Sequence, residues 1–406
     1  MEKQKCPEIR FKEFDLNWKK NILGDITTFI NGRAYSQEEL LKKGKYPVLR
    51  VGNFNTNSHW YYSDLELGEK YYAEDGDLLY TWSTIFSPYI WKGEKVIYHY
   101  HIWKVELSKK LDKLFTFHFL KADEISLTNN TNGSTMIHVT KGEMEGKIIH
   151  IPVLTEQIQI GKFFQNLDQS IALHEKKLSQ TQNLKKAMLE KMFPKEGSKQ
   201  PEIRLRGFNG DWDSCSIFSL AQNQQLNNGV FNDQNKVGKG YKLINVLDMY
   251  IETSIDEKKL TLLDLDRKEF EQNKVKYGDV FFTRSSLVKE GIAFSNVYLG
   301  QSNDITYDGH LIKLSPNLEL IDPIFLNFCL KSSKVRTQLI LGGKSTTMTT
   351  IGQQEVGETI VELPSIGEQL KIGQFFKQIE ETLALQQQQL QALKNLKQAF
   401  LEKMFV

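Results

Sequence analysis

Two stretches of 43 residues, Ile151 to Phe193 and Leu363 to Phe405, align without a gap and share 19 identical residues, ending in the same LEKMF. Similarity of that kind is duplication, and it constrains the fold more than any other feature of the chain, because each half must build the same local structure. The match extends beyond these blocks. PEIRFKEFDLNW (Pro7 to Trp18) answers PEIRLRGFNGDW (Pro201 to Trp212), GDLLYTWS (Gly76 to Ser83) answers GDVFFTRS (Gly278 to Ser285), and His101 answers His310. The offset between partners grows from 194 to 212, so the second half carries 18 extra residues inside its globular part. Preserved ends around diverged middles predict one scaffold used twice, with two different readouts.

The 43-residue blocks read as long helices. Ile160, Phe164, Leu167, Ile171, Leu178, Met188 and Met192 recur at steps of three and four and their multiples, as do Ile372, Phe376, Ile379, Leu383, Leu390, Leu393, Phe400 and Met404, the mark of a coiled-coil seam. Ser365 and Glu368 have capping-box spacing at the second helix start, and PKEGS, Pro194 to Ser198, stops the first. His174 with Gln386, and Lys185 with Lys397, interrupt the two seams at matching places, as surface positions or as register-setting ones. About 37 residues at 1.5 Å rise give a rod of about 55 Å. Two such rods packed antiparallel would carry two reading heads related by a pseudo-dyad, as in dimeric readers of paired DNA half-sites.

The expected fold class is mixed α/β: two tandem α/β domains joined by two long antiparallel coiled-coil helices, with a pseudo-two-fold internal repeat. The expected boundaries are 1–150 for the first globular domain, 151–193 for the first helix, 194–200 for a linker, 201–362 for the second domain and 363–406 for the second helix. YPVLRVGNF (Tyr46 to Phe54) and YKLINVLDM (Tyr241 to Met249) read as strands, and FTFHFLKA and IFLNFCLKS as helices. With 406 residues, 40% hydrophobic and 25% charged, the chain is long enough for several cores. No apolar run reaches the roughly 20 residues of a membrane span. Cys6, Cys215 and Cys329 stand apart, without metal or disulfide spacing, which fits a cytoplasmic protein. A net charge of +2 requires that any DNA-binding face be local.

Catalytic motifs are incomplete. No proline is adjacent to another, so the N-P-P-aromatic element of an adenine methyltransferase is missing, and the sole G-x-G is Gly238 to Gly240. Gly343, Lys344 and Ser345 supply the end of a phosphate-binding loop, but position 338 is Gln where its first glycine belongs. Glu145 and Lys147 lack an upstream P-D nuclease partner. His99 and His101 read as one face of a strand, better suited to packing than to a metal.

The tandem of variable domain plus long helix, with G-D-[LV]-[LF]-[YF]-T in each domain and I-G-x-F-F with LEKMF in each helix, resembles the DNA-specificity subunit of type I restriction-modification systems from Pro7 to Phe405. The resemblance implies a non-catalytic subunit. Each variable domain would be a target-recognition domain reading half of a bipartite double-stranded DNA site, and the helices would set the unread spacer. It further implies two modification (methyltransferase) subunits docked on the helices, using S-adenosylmethionine to methylate adenine. Restriction translocase-nuclease subunits would use ATP and Mg2+. This chain would bind no metal or cofactor and touch no membrane. Two alternatives stay open: an assembly scaffold without base readout, and a self-sufficient modification enzyme.

Contact residues must come from local reading. Loops that combine amide or forked side chains with Ser, Thr and glycine suit base and phosphate contacts. In the first domain these are Asn31, Gly32 and Arg33; Arg50 and Asn53; and Trp82, Ser83 and Thr84. Trp82 suits either stacking or the core. In the second they are Asn228 and Gly229; Asn245; and Arg284, Ser285 and Ser286. A matched pair of Thr/Ser loops adds Ser134 and Thr135 in one and Lys344, Thr346 and Thr347 in the other, as phosphate grips or plain surface. Partner and helix-seam positions are Phe164, Leu167, Ile171, Leu178 and Met188, with Phe376, Ile379, Leu383, Leu390 and Phe400.

Overall fold

The computed structural model describes residues 6–54, 57–83, 85–129, 140–251, 254–345 and 348–406. The chain forms two compact units that exchange helix ends. One comprises residues 1–175 and 389–406, the other 176–388. Each long helix therefore starts in one unit and finishes in the other.

Both units repeat one plan. In the first, an antiparallel sheet runs Thr27–Asn31, Ile102–Leu107, Leu78–Ser83, Ile85–Ile90. A second sheet holds Tyr61–Ser63, Tyr46–Leu49, Val96–Tyr98 and Tyr72–Ala73, its two central strands parallel. The other unit has the order Ala221–Asn228, Leu311–Pro316, Val280–Thr283, Ser295–Val297, and a sheet of Thr261–Leu263, Val237–Ile244 and Ile305–Tyr307, again with one parallel pair. The two strands expected at 46–54 and 241–249 end early. Each bends into a 3-10 turn, Val51–Phe54 and Val246–Met249, because a side-chain oxygen captures the backbone N–H where the turn starts. Asn53 Oδ1 accepts from Arg50 N at 3.1 Å, and Asp248 Oδ2 from Asn245 N at 2.8 Å.

The long helices are Leu154–Lys191 and Ile366–Lys403. Within the first unit Phe163 meets Phe400 at a ring distance of 5.0 Å, Lys397 pairs with Asp168, and Lys394 with Glu175. Within the second, Lys185 pairs with Glu380 at 3.1 Å and Phe193 lies on Phe376 at 5.9 Å. In both, one number rises as the other falls, so the helix segments run antiparallel. Phe164, Phe376, Ile379, Leu383 and Leu390 are buried, and Leu167, Ile171, Leu178, Met188 and Phe400 are half-buried. The polar seam residues Lys185 and Lys397 each find a carboxylate on the facing helix, whereas His174 turns its Nδ1 to Ser170 O on its own helix, 2.8 Å away.

The PEIR arginine grips a carboxylate in the first turn of a long helix: Arg10 holds both oxygens of Glu156 at 2.7 Å, and Arg204 holds those of Glu368 at 2.9 and 2.8 Å. Glu156 and Glu368 are 0% and 1% exposed, and a buried carboxylate needs such a forked partner. This corrects the capping-box expectation, since Glu368 reaches Arg204 instead of its own cap. The next residue does a second job. Gln157 receives Asp112 N and donates to Lys110 O and Pro152 O, and Gln369 receives Asp322 N and donates to Leu320 O and Pro364 O. The glycine of I-G-x-F-F permits close packing, for a Cβ on Gly161 would sit 2.8 Å from Phe115 N, and one on Gly373 3.1 Å from Phe325 N. LEKMF closes the arrangement from the other helix: Ile9 N donates to Lys403 O at 3.0 Å and Ile203 N to Lys191 O at 2.9 Å. Each PEIR thus ties the start of one long helix to the end of the other.

Candidate nucleic-acid interface

Three segments of each unit converge on one turn. In the first unit the turn is His99 to His101, joining Val96–Tyr98 to Ile102–Leu107. His99 and His101 therefore lie on a turn rather than along the strand expected for them. Gly32 lies against it, with Gly32 N donating to Ile102 O and Arg33 N to Tyr98 O, both at 3.1 Å. A Cβ on Gly32 would overlap the carbonyls of Tyr98 and His99. Trp82 approaches from the third segment. Its backbone N–H donates to His101 O at 3.2 Å and its indole N–H to Tyr100 O at 2.8 Å.

The second unit repeats this geometry with different side chains. The turn is Asp308 to His310, a Cβ on Gly229 would overlap the carbonyls of Tyr307 and Asp308, and Val230 N donates to Tyr307 O at 2.9 Å. Arg284 stands where Trp82 stands. Its backbone N–H donates to His310 O at 3.0 Å and its guanidinium to Gly309 O at 3.1 Å. The residue two before each histidine, His101 half-buried and His310 exposed, has a matching geometric task. Asp308 Oδ1 accepts His310 N at 2.7 Å, and His99 Nδ1 takes His101 N at 3.5 Å.

The electrostatics of the two turns differ. Trp82 stacks on Trp103 at 5.7 Å, which stacks on Tyr80 at 5.9 Å, with His101 edge-on to Trp82 at 5.2 Å. Burial, then the nearby His101 and Arg50, pushes His99 down to about 4, and burial lowers His101 as well. The first turn is consequently an aromatic and uncharged surface at neutral pH. In the second, Asp308 is 5% exposed and accepts His310 Nδ1 at 2.8 Å, leaving the imidazole, 68% exposed, to face outward beside Arg284.

The other expected contacts sort by position. Asn31 is exposed at the end of its strand, and Asn228 Oδ1 accepts Gln353 Nε2 at 3.0 Å. Arg33 is paired with Glu39 at 2.7 Å, which raises its pKa and lowers that of Glu39. Arg50 lies over the Tyr61 ring at 4.3 Å, and Asn53 Nδ2 donates to Asn57 O and His59 O, so both secure a neighbouring loop. Asn245 caps its turn and donates to Thr261 Oγ1 at 2.7 Å. Ser83 is half-buried at the end of its strand. Ser285 and Ser286 pair with Thr350 and Thr349, and Lys344 with Thr350, in a small three-stranded sheet. Lys344 also reaches Glu355 at 2.7 Å. Thr84, Ser134, Thr135, Thr346 and Thr347 lie outside the described residues. The repeat pairs His101 with His310 in the sequence, but neither they nor Asp308 were among the expected contacts. Their one signal was that a histidine persists where its surroundings change.

Among the described residues, no group of three His, Cys, Asp or Glu side chains is placed to hold a metal ion, and no helix is long and apolar enough to cross a membrane.

Residues 16–183 and 211–395 match the family described as the type I restriction modification DNA specificity domain. The chain is similar to the type I restriction enzyme EcoBI specificity subunit of Escherichia coli, at 23% identity over 418 residues, 96% of this chain and 85% of that protein. It is similar to the MjaVIII specificity subunit of Methanocaldococcus jannaschii at 28% over 183 residues, 44% and 42% of the two chains. Its fold is like that of the S subunit of a type I restriction-modification system from M. genitalium, with a TM-score of 0.62, 13% identity and 99% of each chain covered. A chain from a structural study of complex assembly and conformational transition in the type I system gives a TM-score of 0.56 at 15% identity, covering 95% and 97%.

Proposed function

This chain belongs to the family of type I restriction modification DNA specificity domains, and on that premise we propose that its two units read the two halves of a bipartite DNA site while its helices set the spacer and dock two modification subunits. The observation that carries this reading is the contrast between helices and turns. On the helices, exposed apolar residues recur in matched pairs: Leu154 and Ile366, Ile158 and Leu370, Leu173 and Leu385, Leu184 and Leu396. Two equal faces suit two copies of one partner. At the turns the scaffold is the same but Trp82 and His99 stand opposite Arg284 and Asp308, which suits two different base sequences.

In this reading the chain selects which adenine in each half-site the docked subunits extrude and methylate. S-adenosylmethionine belongs to those subunits, and ATP and Mg2+ to the translocase-nuclease subunits that complete a restriction complex in the cytoplasm. The test is a genome-wide map of methylated adenines in host cells with and without the gene. A bipartite motif that appears only with the gene supports the reading, and absence of any gene-dependent motif in cells that express the modification subunit refutes it. Removing one heptad from both helices should then change the gap between the two blocks and leave their sequences intact.

A further inference from the structure

Three loops of the second unit meet at one amide. Asn232 Nδ2 donates to Asn245 Oδ1 and to Asp308 Oδ2, each at 3.0 Å. Asp308 turns its other oxygen to His310, and Asn245 is braced by Asp248 and Thr261. Each of the three loop tips so fixed carries an outward side chain: Phe231 is 79% exposed, Leu247 81% and His310 68%. Folding alone does not account for a phenylalanine and a leucine held in water on loop tips that side-chain hydrogen bonds tie together.

The shared scaffold does not account for them either. Leu49 lies opposite Tyr98 in a parallel pair just as Ile244 lies opposite Tyr307, which makes Gly52 the counterpart of Leu247. Gly32 and Gly229 press on equivalent turns, which makes Ala34 the counterpart of Phe231. The large apolar tips are specific to the second unit.

An apolar partner protein is met by a contiguous patch of several hundred Å². Here the apolar groups stand on separate tips around an amide, a carboxylate and an imidazole, next to the Arg284 turn. The DNA feature of that character is the major-groove edge of thymine, where one methyl group sits between hydrogen-bonding positions. We propose that Phe231 and Leu247 grip the C5-methyl of a thymine in the second half-site, with His310 positioned by Asp308 against the polar edge beside it. This rests on the reading of the unit as a recognition domain.

The experiment uses the chain assembled with its modification subunits and duplexes in which each thymine of either half-site is replaced in turn by uracil, which differs only by that methyl. One replacement in the second half-site should weaken binding about four-fold, the worth of one buried methyl group. Phe231→Ala and Leu247→Ala should each weaken binding to the thymine duplex and no longer distinguish it from the uracil duplex, with first-half-site replacements acting as in the unaltered protein. The proposal is overturned if no second-half-site uracil matters, if either variant still distinguishes the two duplexes, or if the variants lose modification subunits instead of DNA. A complex that binds all sequences equally would overturn the recognition reading itself, a separate result.

Discussion

His118→Phe should stabilise the first unit and remove part of its acid sensitivity. His118 is 1% exposed, stacks on Phe164 at 5.0 Å, and leaves its Nδ1 without a partner. Its Nε2 is 3.9 Å from Asp168, too far for a hydrogen bond, and Lys397 takes that carboxylate instead. Burial, with smaller contributions from Lys397 and Lys121, pushes its pKa down to about 3. In the unfolded chain a histidine titrates near 6.5. As pH falls, the unfolded state takes the proton first, so this stability is complete above about 6.5 and drains away toward 3, by about 1.4 kcal/mol per pH unit. Between pH 7.5 and 4.5 the loss is therefore about 3 kcal/mol. The equivalent position of the second unit is already Phe328, stacked on Phe376 at 4.8 Å, so the site accepts the ring. At pH 7.5 the substitution also removes an unsatisfied buried nitrogen, for a gain of about 1 to 3 kcal/mol. Urea unfolding read by tryptophan fluorescence suits the test, because five of the six tryptophans lie in the first unit. His99 titrates in both proteins and cancels in the difference. Parallel pH profiles for the two proteins, or a variant less stable at pH 7.5, would refute the reasoning.

Arg204→Ala should destabilise the second unit by about 3 to 5 kcal/mol, since it strands the buried Glu368 carboxylate; adding Glu368→Gln should recover part of this in denaturant titrations. Gly229→Ala should displace the Asp308 to His310 turn, reducing second-half-site binding at least ten-fold while modification subunits still co-purify. Arg284→Ala should cost about 1 to 3 kcal/mol of discrimination at one base pair of that half-site if its free guanidinium edge reads a base, whereas an equal loss on all sequences would mark a phosphate contact.

The sequence by itself determined the duplication, the two long helices and their seam, because these rest on periodicity and on identity between distant copies, both of which are local readings repeated. It also marked two of the three segments that meet at each of the paired turns, where glycine and polar side chains coincide. The purpose of PEIR, E-Q and LEKMF was hidden, since each acts on a residue far away in the chain: Arg10 on Glu156, Ile9 on Lys403, Arg204 on Glu368. The same holds for the polar residues that looked ready for DNA. Arg33 turned to Glu39 and Arg50 to Tyr61, partners that composition cannot assign. Only the tertiary structure set Trp82 and Arg284 over equivalent turns and brought Asn232, Asn245 and Asp308 to one hydrogen-bonded centre. Such a centre depends on strand pairing between distant segments, and pairing is decided by the packing of the whole sheet rather than by any residue's own preference.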